Sequence, residues 1–255
     1  MSTLQASWDR RAAANFMLGG AGAGLIMVCV LTGMESRLLA FFVGLILIAA
    51  GLGAVWLEIG RKLRAVHVFF NPFTSWMTRE SFAALTLFVL GVAYLAVREP
   101  AFLYGASAVA AVFLWCQARI LRAAKGIPAW RAPEIVPLIV TTGLAEGAGL
   151  ALFFSDDAAL LAICASAVVA RHVAWTHYRK AVPGEALKTA ALLLLWMGTA
   201  AALVLLALAG RVGEAAPLAG LAALVPGARL KLALVTRASL QQGFSLPHLP
   251  VRGTR

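Results

Sequence analysis

The residues able to do chemistry are few and fall into two polar segments and one isolated acid. The first segment reads EIGRKLRA and runs on to SWMTRE, bringing together Glu58, Arg61, Lys62, Arg64, His67, Trp76, Arg79 and Glu80. A carboxylate, an imidazole and guanidiniums at one boundary could bind a polar ring and exchange protons with it. The plain structural reading of Arg61 and Lys62 is that of cations at a helix end, whose long stems let the charge reach water. The second segment, KGIPAWRAP, holds Trp130 and Arg131 between two prolines. It predicts a rigid loop at headgroup depth, which could dock a partner or serve only as an aromatic anchor. Glu146 stands inside an apolar run, as a proton-pathway residue or as the partner of Arg229 or Lys231 across a bundle.

Composition says what must position these groups. Of 255 residues 62% are apolar and only 13% charged, and the mean hydropathy is +0.87. A soluble surface needs roughly 25% charged residues, so lipid is the expected surrounding. Apolar runs approach the roughly 20 residues with which a helix crosses a 30 Å hydrocarbon core. They predict eight spans, at 16–33, 38–57, 81–97, 102–120, 135–154, 158–174, 186–209 and 215–235, the last interrupted at Pro226 and Gly227. The expected fold is therefore an all-α polytopic bundle, a single transmembrane domain over 1–255, since a spanning backbone must satisfy its own hydrogen bonds. The N-terminal segment lacks the pattern of a cleaved signal peptide, and the run from Phe16 is expected to stay as a span.

Eight spans would place both termini on one side. That side would hold 19 of the 22 Lys and Arg residues, leaving Arg37, Arg98 and Arg211 opposite. The asymmetry predicts cytoplasmic termini in a bacterial inner membrane. The net charge of +11 is explained the same way, with no nucleic-acid partner. The longer, aromatic connections 58–80, 121–134 and 172–185 fall on the basic side, where contact with a partner is expected.

Other chemistries fit poorly. Cys29, Cys116 and Cys164 lie in apolar runs without metal-ligand spacing, and no metal site is expected. A b-type cytochrome needs paired histidines at membrane depth, but His67, His172, His177 and His248 all fall at or near the basic side. A small-molecule or ion transporter would work through Glu146 and the Pro226-Gly227 break. No phosphate loop, nucleophile elbow or zinc-protease motif is present.

EIGRKLRA, SWMTRE, and IPAWRAP followed by TTGLAEGAGL together resemble the NrfD/DmsC-type membrane anchor subunits of molybdenum oxidoreductases. The closing stretch TRASLQQGFSLPHLPVRG is similar to the membrane subunits of phenylacetyl-CoA:acceptor oxidoreductases and their relatives. The resemblance implies a subunit without haem or metal that is non-catalytic alone. It anchors a ferredoxin-like iron–sulfur subunit and a molybdopterin catalytic subunit, and binds ubiquinone or menaquinone. Glu58 stands where those branches carry a histidine or an aspartate, Arg64 matches the motif arginine, and Asn15 matches a polar position near the quinone. On this reading Glu58, with His67, donates protons, while Asn15, Arg64, Trp76 and Arg79 complete the quinone site. Arg61, Lys62, Trp130 and Arg131 then face the partner, and Glu146 belongs to a proton pathway. In the DmsC complex the motif-bearing side points away from the cytoplasm. The basic charge argues for the cytoplasm here, which suits a partner with a cytoplasmic substrate such as a CoA ester.

Overall fold

The structure is a computed structural model that describes residues 8–31, 36–59, 62–182 and 185–240, without the side chains of Lys62 and Arg64. Among the described residues every regular element is helical. Helix α1 spans Arg10–Leu31, α2 Arg37–Glu58, α3 Trp76–Val97 and α4 Pro100–Ala123; α5 spans Ile135–Ala151, α6 Ala158–Ala181, α7 Glu185–Ala209 and α8 Ala215–Thr236. Seven of these are long and apolar enough to cross a membrane. The exception is α5, where the expected span ends three residues early, in a turn at 152–154. Its 17 residues make a rod of about 25 Å, short of the hydrocarbon thickness.

The helix ends follow from local chemistry. The Asp9 carboxylate caps α1 by accepting from the Arg11 and Ala12 amides, and the Ser75 hydroxyl caps α3 by accepting from Thr78. Arg98 closes α3 in the left-handed region (φ 65°), and Pro100 then opens α4 where its missing N–H costs nothing. The resulting tight turn pairs α3 with α4 as a hairpin.

The interior is built from small residues. Helix α5 packs against α1, α4, α6 and α8, and its crossing with α1 sets Gly24 directly against Gly143 and Gly147. Gly22 meets Gly44 between α1 and α2, and Gly149 meets Gly220 between α5 and α8. In lipid, where helices gain little by merely hiding apolar surface from each other, such backbone contact supplies much of the association. The outer faces are apolar, with Phe42 and Ile46 on α2, Leu85 and Val92 on α3, and Val204 on α7 all exposed. The polar side chains Asn15, Glu80, Gln117, Glu146, Arg171 and Lys231 lie inside instead.

Two expectations change. Helix α8 runs unbroken through Pro226, and Arg171 Nη1 donates to the Ala223 carbonyl three residues before it, at 2.5 Å. Arg171 and Lys231, counted above with the basic side, are fully buried in the bundle. Without these two, the expected charge asymmetry is seventeen residues against three.

Two helices carry a π turn, α1 at Asn15–Gly19 and α7 at Trp196–Ala201. Such a turn shifts the backbone ladder and loosens carbonyls from it. Each widened turn has a carbonyl taken by a side chain from another helix. Gln117 Nε2 donates to the Asn15 carbonyl at 3.0 Å, and Arg171 Nη2 to the Gly198 carbonyl at 2.5 Å.

Candidate functional site

A cavity of about 780 Å³ opens where α1, α2 and α3 meet the segment Lys62–Phe70. Its walls are mostly apolar: Ala12 and Phe16 from α1, Leu52, Val55 and Trp56 from α2, Ala84, Leu85 and Phe88 from α3. Val66 and Phe69 of the 3-10 segment Lys62–Phe70 form its rim. The polar groups that reach it include Asn15, Glu58, Glu80 and Ser81.

Helix geometry delivers each of these. The π turn presents Asn15 inward, and its amide donates to the Glu80 carboxylate at 3.0 Å. Gln117 on α4 holds the Asn15 backbone from the other side, so the three polar residues fix one another. Two hydrogen-bond acceptors there remain without a donor, Asn15 Oδ1 and Gln117 Oε1. Gly51 on α2 packs directly against Asn15, the close approach a side chain would block. Glu58, the last residue of α2, is half-buried at the cavity mouth. The Leu57 carbonyl beside it accepts from Arg11 at 3.3 Å, tying α1 to the end of α2.

The residues expected to form one site divide into groups. Asn15 and Glu58 line the cavity. Arg79, Trp76 and His67 do not. Arg79 donates to the Pro72 and Phe73 carbonyls at 2.8 and 2.6 Å and lies over the Trp76 ring at 4.2 Å, with Arg119 also over that ring at 4.6 Å. It shapes the connection beside the mouth, because its donors are already directed at that loop's carbonyls. His67 is exposed, with its ring edge-on to Phe70. Arg61 and the side chains of Lys62 and Arg64 lie outside the described residues, as does the closing stretch from residue 241.

Trp130, expected at a docking surface, is fully buried; its indole N–H donates to the Leu234 carbonyl at 3.1 Å and its ring meets Trp8 edge-on. An indole finds its best place where the ring is dry and the N–H is met, so it packs α8 against the loop instead of facing a partner. Arg131 is exposed and donates to the Lys125 carbonyl at 2.5 Å.

A second polar cluster lies deeper. Lys231 Nζ meets Glu146 Oε2 at 2.6 Å with both side chains fully buried, and Arg171 interacts electrostatically with Glu146. The pairing is with Lys231, while Arg229 is exposed. Lys231 and Gln117 both approach Gly20, so the deep cluster and the group of Asn15, Glu80 and Gln117 come near each other at one glycine. Among the described residues no group of three or more His, Cys, Asp or Glu side chains is placed to hold a metal ion.

Beyond the residues expected to form the site, the structure brings in Glu80, Gln117 and Arg171. Glu80 reads as a helix boundary, and its interior place follows only from Asn15 on another helix. A signal for the other two did exist, an isolated polar residue inside FLWCQARI and inside SAVVARHVAW. Compared with known families and with curated proteins, the sequence matches no family model and no curated protein.

Proposed function

We propose that the chain is a multi-pass subunit of a bacterial cytoplasmic membrane, with both termini cytoplasmic. It binds a quinone in the α1–α2–α3 cavity and exchanges electrons between that quinone and an iron–sulfur partner, itself joined to a molybdopterin catalytic subunit. The observation that carries this reading is the cavity, about 780 Å³ and largely apolar, with two carboxylates and an amide as its convergent polar groups. Quinone reduction takes up two electrons and two protons per ring, so the ring needs hydrogen-bond donors and a proton source near its oxygens. Glu80 and Glu58 are the proton-exchanging groups that line the cavity, and Asn15 orients Glu80. The apolar walls suit the ring and the start of an isoprenoid tail.

The connection 62–75 beside the mouth suits the partner, since Leu63, Phe70 and Phe73 are exposed there beside basic residues. Glu146 and Lys231, which come near Gln117 at Gly20, extend the polar groups from the cavity into the bundle as a path for protons.

A photoreactive ubiquinone or menaquinone analogue tests the site in the purified chain. Labelling of peptides from residues 12–16 and 77–88, displaced by excess unmodified quinone, is the expected result. Labelling elsewhere, or none, would overturn the reading. In the assembled complex Glu80→Gln is expected to slow quinone turnover by about 10²-fold or more while leaving labelling intact.

A further inference from the structure

A second groove, of about 740 Å³, lies between the start of α7 and the end of α8 and has three arginines on it. Arg229 and Arg237 come from α8 and Arg10 from the start of α1. All three are exposed, and among the described residues none of their guanidiniums makes an ion pair or hydrogen bond. The acids adjacent in sequence to lining residues, Asp9 beside Arg10 and Glu185 beside Ala186, are taken. Asp9 is bound by Arg11 at 2.8 Å, and Glu185 pairs with Lys188 at 3.3 Å. Below the arginines the walls turn apolar, with Leu193 and Trp196 among them, and Trp196 is 67% exposed.

Position sharpens the point. Arg229 lies seven residues before the end of α8, about 12 Å down the helix from Arg237. A bare guanidinium at that depth on an outward face is costly in hydrocarbon, and the remedy is an anion that comes with its own apolar tail. We infer that this groove binds an anionic phospholipid, its phosphate among Arg10, Arg229 and Arg237 and its acyl chains along Leu193 and Trp196. The Thr189 side chain, also in the groove, offers a hydroxyl to the headgroup. The inference rests on the proposed membrane insertion but not on quinone binding.

The test uses the full chain, delipidated in neutral detergent and followed by native mass spectrometry. Phosphatidylglycerol and phosphatidylcholine with identical acyl chains are titrated in parallel. Phosphatidylglycerol is expected to bind on the order of a hundredfold more tightly, at about fivefold per arginine. Arg229→Gln should lose about fivefold of that preference and Arg229→Gln/Arg237→Gln about twenty-five-fold, while Arg229→Lys keeps most of it. Equal binding of the two lipids by the wild-type chain overturns the inference without any variant having to fold. A preference untouched by the glutamine substitutions also overturns it. Inorganic phosphate at millimolar concentration should not displace the lipid; full displacement would assign the site to a free anion instead. Alkaline extraction of membranes separates the two readings. A chain that stays in the pellet yet shows no lipid preference removes this inference alone, whereas a chain that is extracted removes the insertion as well.

Discussion

Neutralising Glu146 should damage the fold more than neutralising Lys231. Both side chains are fully buried and 2.6 Å apart, and Arg171 is the further buried cation near the carboxylate. The cluster therefore holds one negative and two positive charges. Removing one partner of a buried pair costs about 3–5 kcal/mol, because the remaining charge has lost its compensation. Lys231→Met leaves Glu146 against Arg171, a balanced set, and is expected near the lower end, at about 3 kcal/mol. Glu146→Gln leaves two cations with no anion and is expected near the upper end, at about 5 kcal/mol. The double variant Glu146→Gln/Lys231→Met keeps only Arg171, which retains its bonds to the Ala223 and Gly198 carbonyls. Its loss should stay below about 3 kcal/mol, leaving a coupling of several kcal/mol against the ~0.5 kcal/mol within which independent sites add. Reversible unfolding in mixed micelles of rising sodium dodecyl sulfate, followed by circular dichroism, measures all four forms. Additive losses, or a Lys231→Met variant less stable than Glu146→Gln, would refute the reasoning.

Two further expectations concern packing and topology. Gly147→Ala should weaken the α1–α5 crossing by about 1–3 kcal/mol, because its Cβ would overlap the backbone of Gly24 and Leu25, whereas Gly53→Ala, which meets nothing within 4 Å, should be neutral or slightly stabilising; the same micelle unfolding compares them. A green fluorescent protein fused after Arg255 should fluoresce and an alkaline phosphatase fused there should be inactive, and the opposite pattern would overturn cytoplasmic termini.

Much of the fold is legible in the sequence because the properties involved are local. A run of twenty apolar residues is long enough to cross lipid whatever surrounds it, and seven of the eight expected spans correspond to helices of that length. Glu58 and Asn15 were legible as polar groups of the cavity region, one from the polar segment that closes α2 and the other from the resemblance. Glu80 and Gln117 were not. Glu80 meets Asn15 from 65 residues away and Gln117 from 102, and no spacing pattern encodes such a meeting. Trp130 misled because an aromatic loop near a membrane end reads the same whether its ring faces out or, as here, packs beneath α8.

The helices, their order and the excess of basic residues at their ends are thus determined by the sequence alone, since chain length, hydropathy and backbone hydrogen bonding act within each segment. The rotation of each helix about its own axis was decided only by the tertiary structure. Arg229 and Lys231 are two residues apart on α8 and so point about 200° apart around it. Both could not face Glu146. With apolar residues on every side of α8, the sequence held no preference between them. The glycine contacts that seat α8 against α5 turned Lys231 inward to the carboxylate and Arg229 outward to the groove.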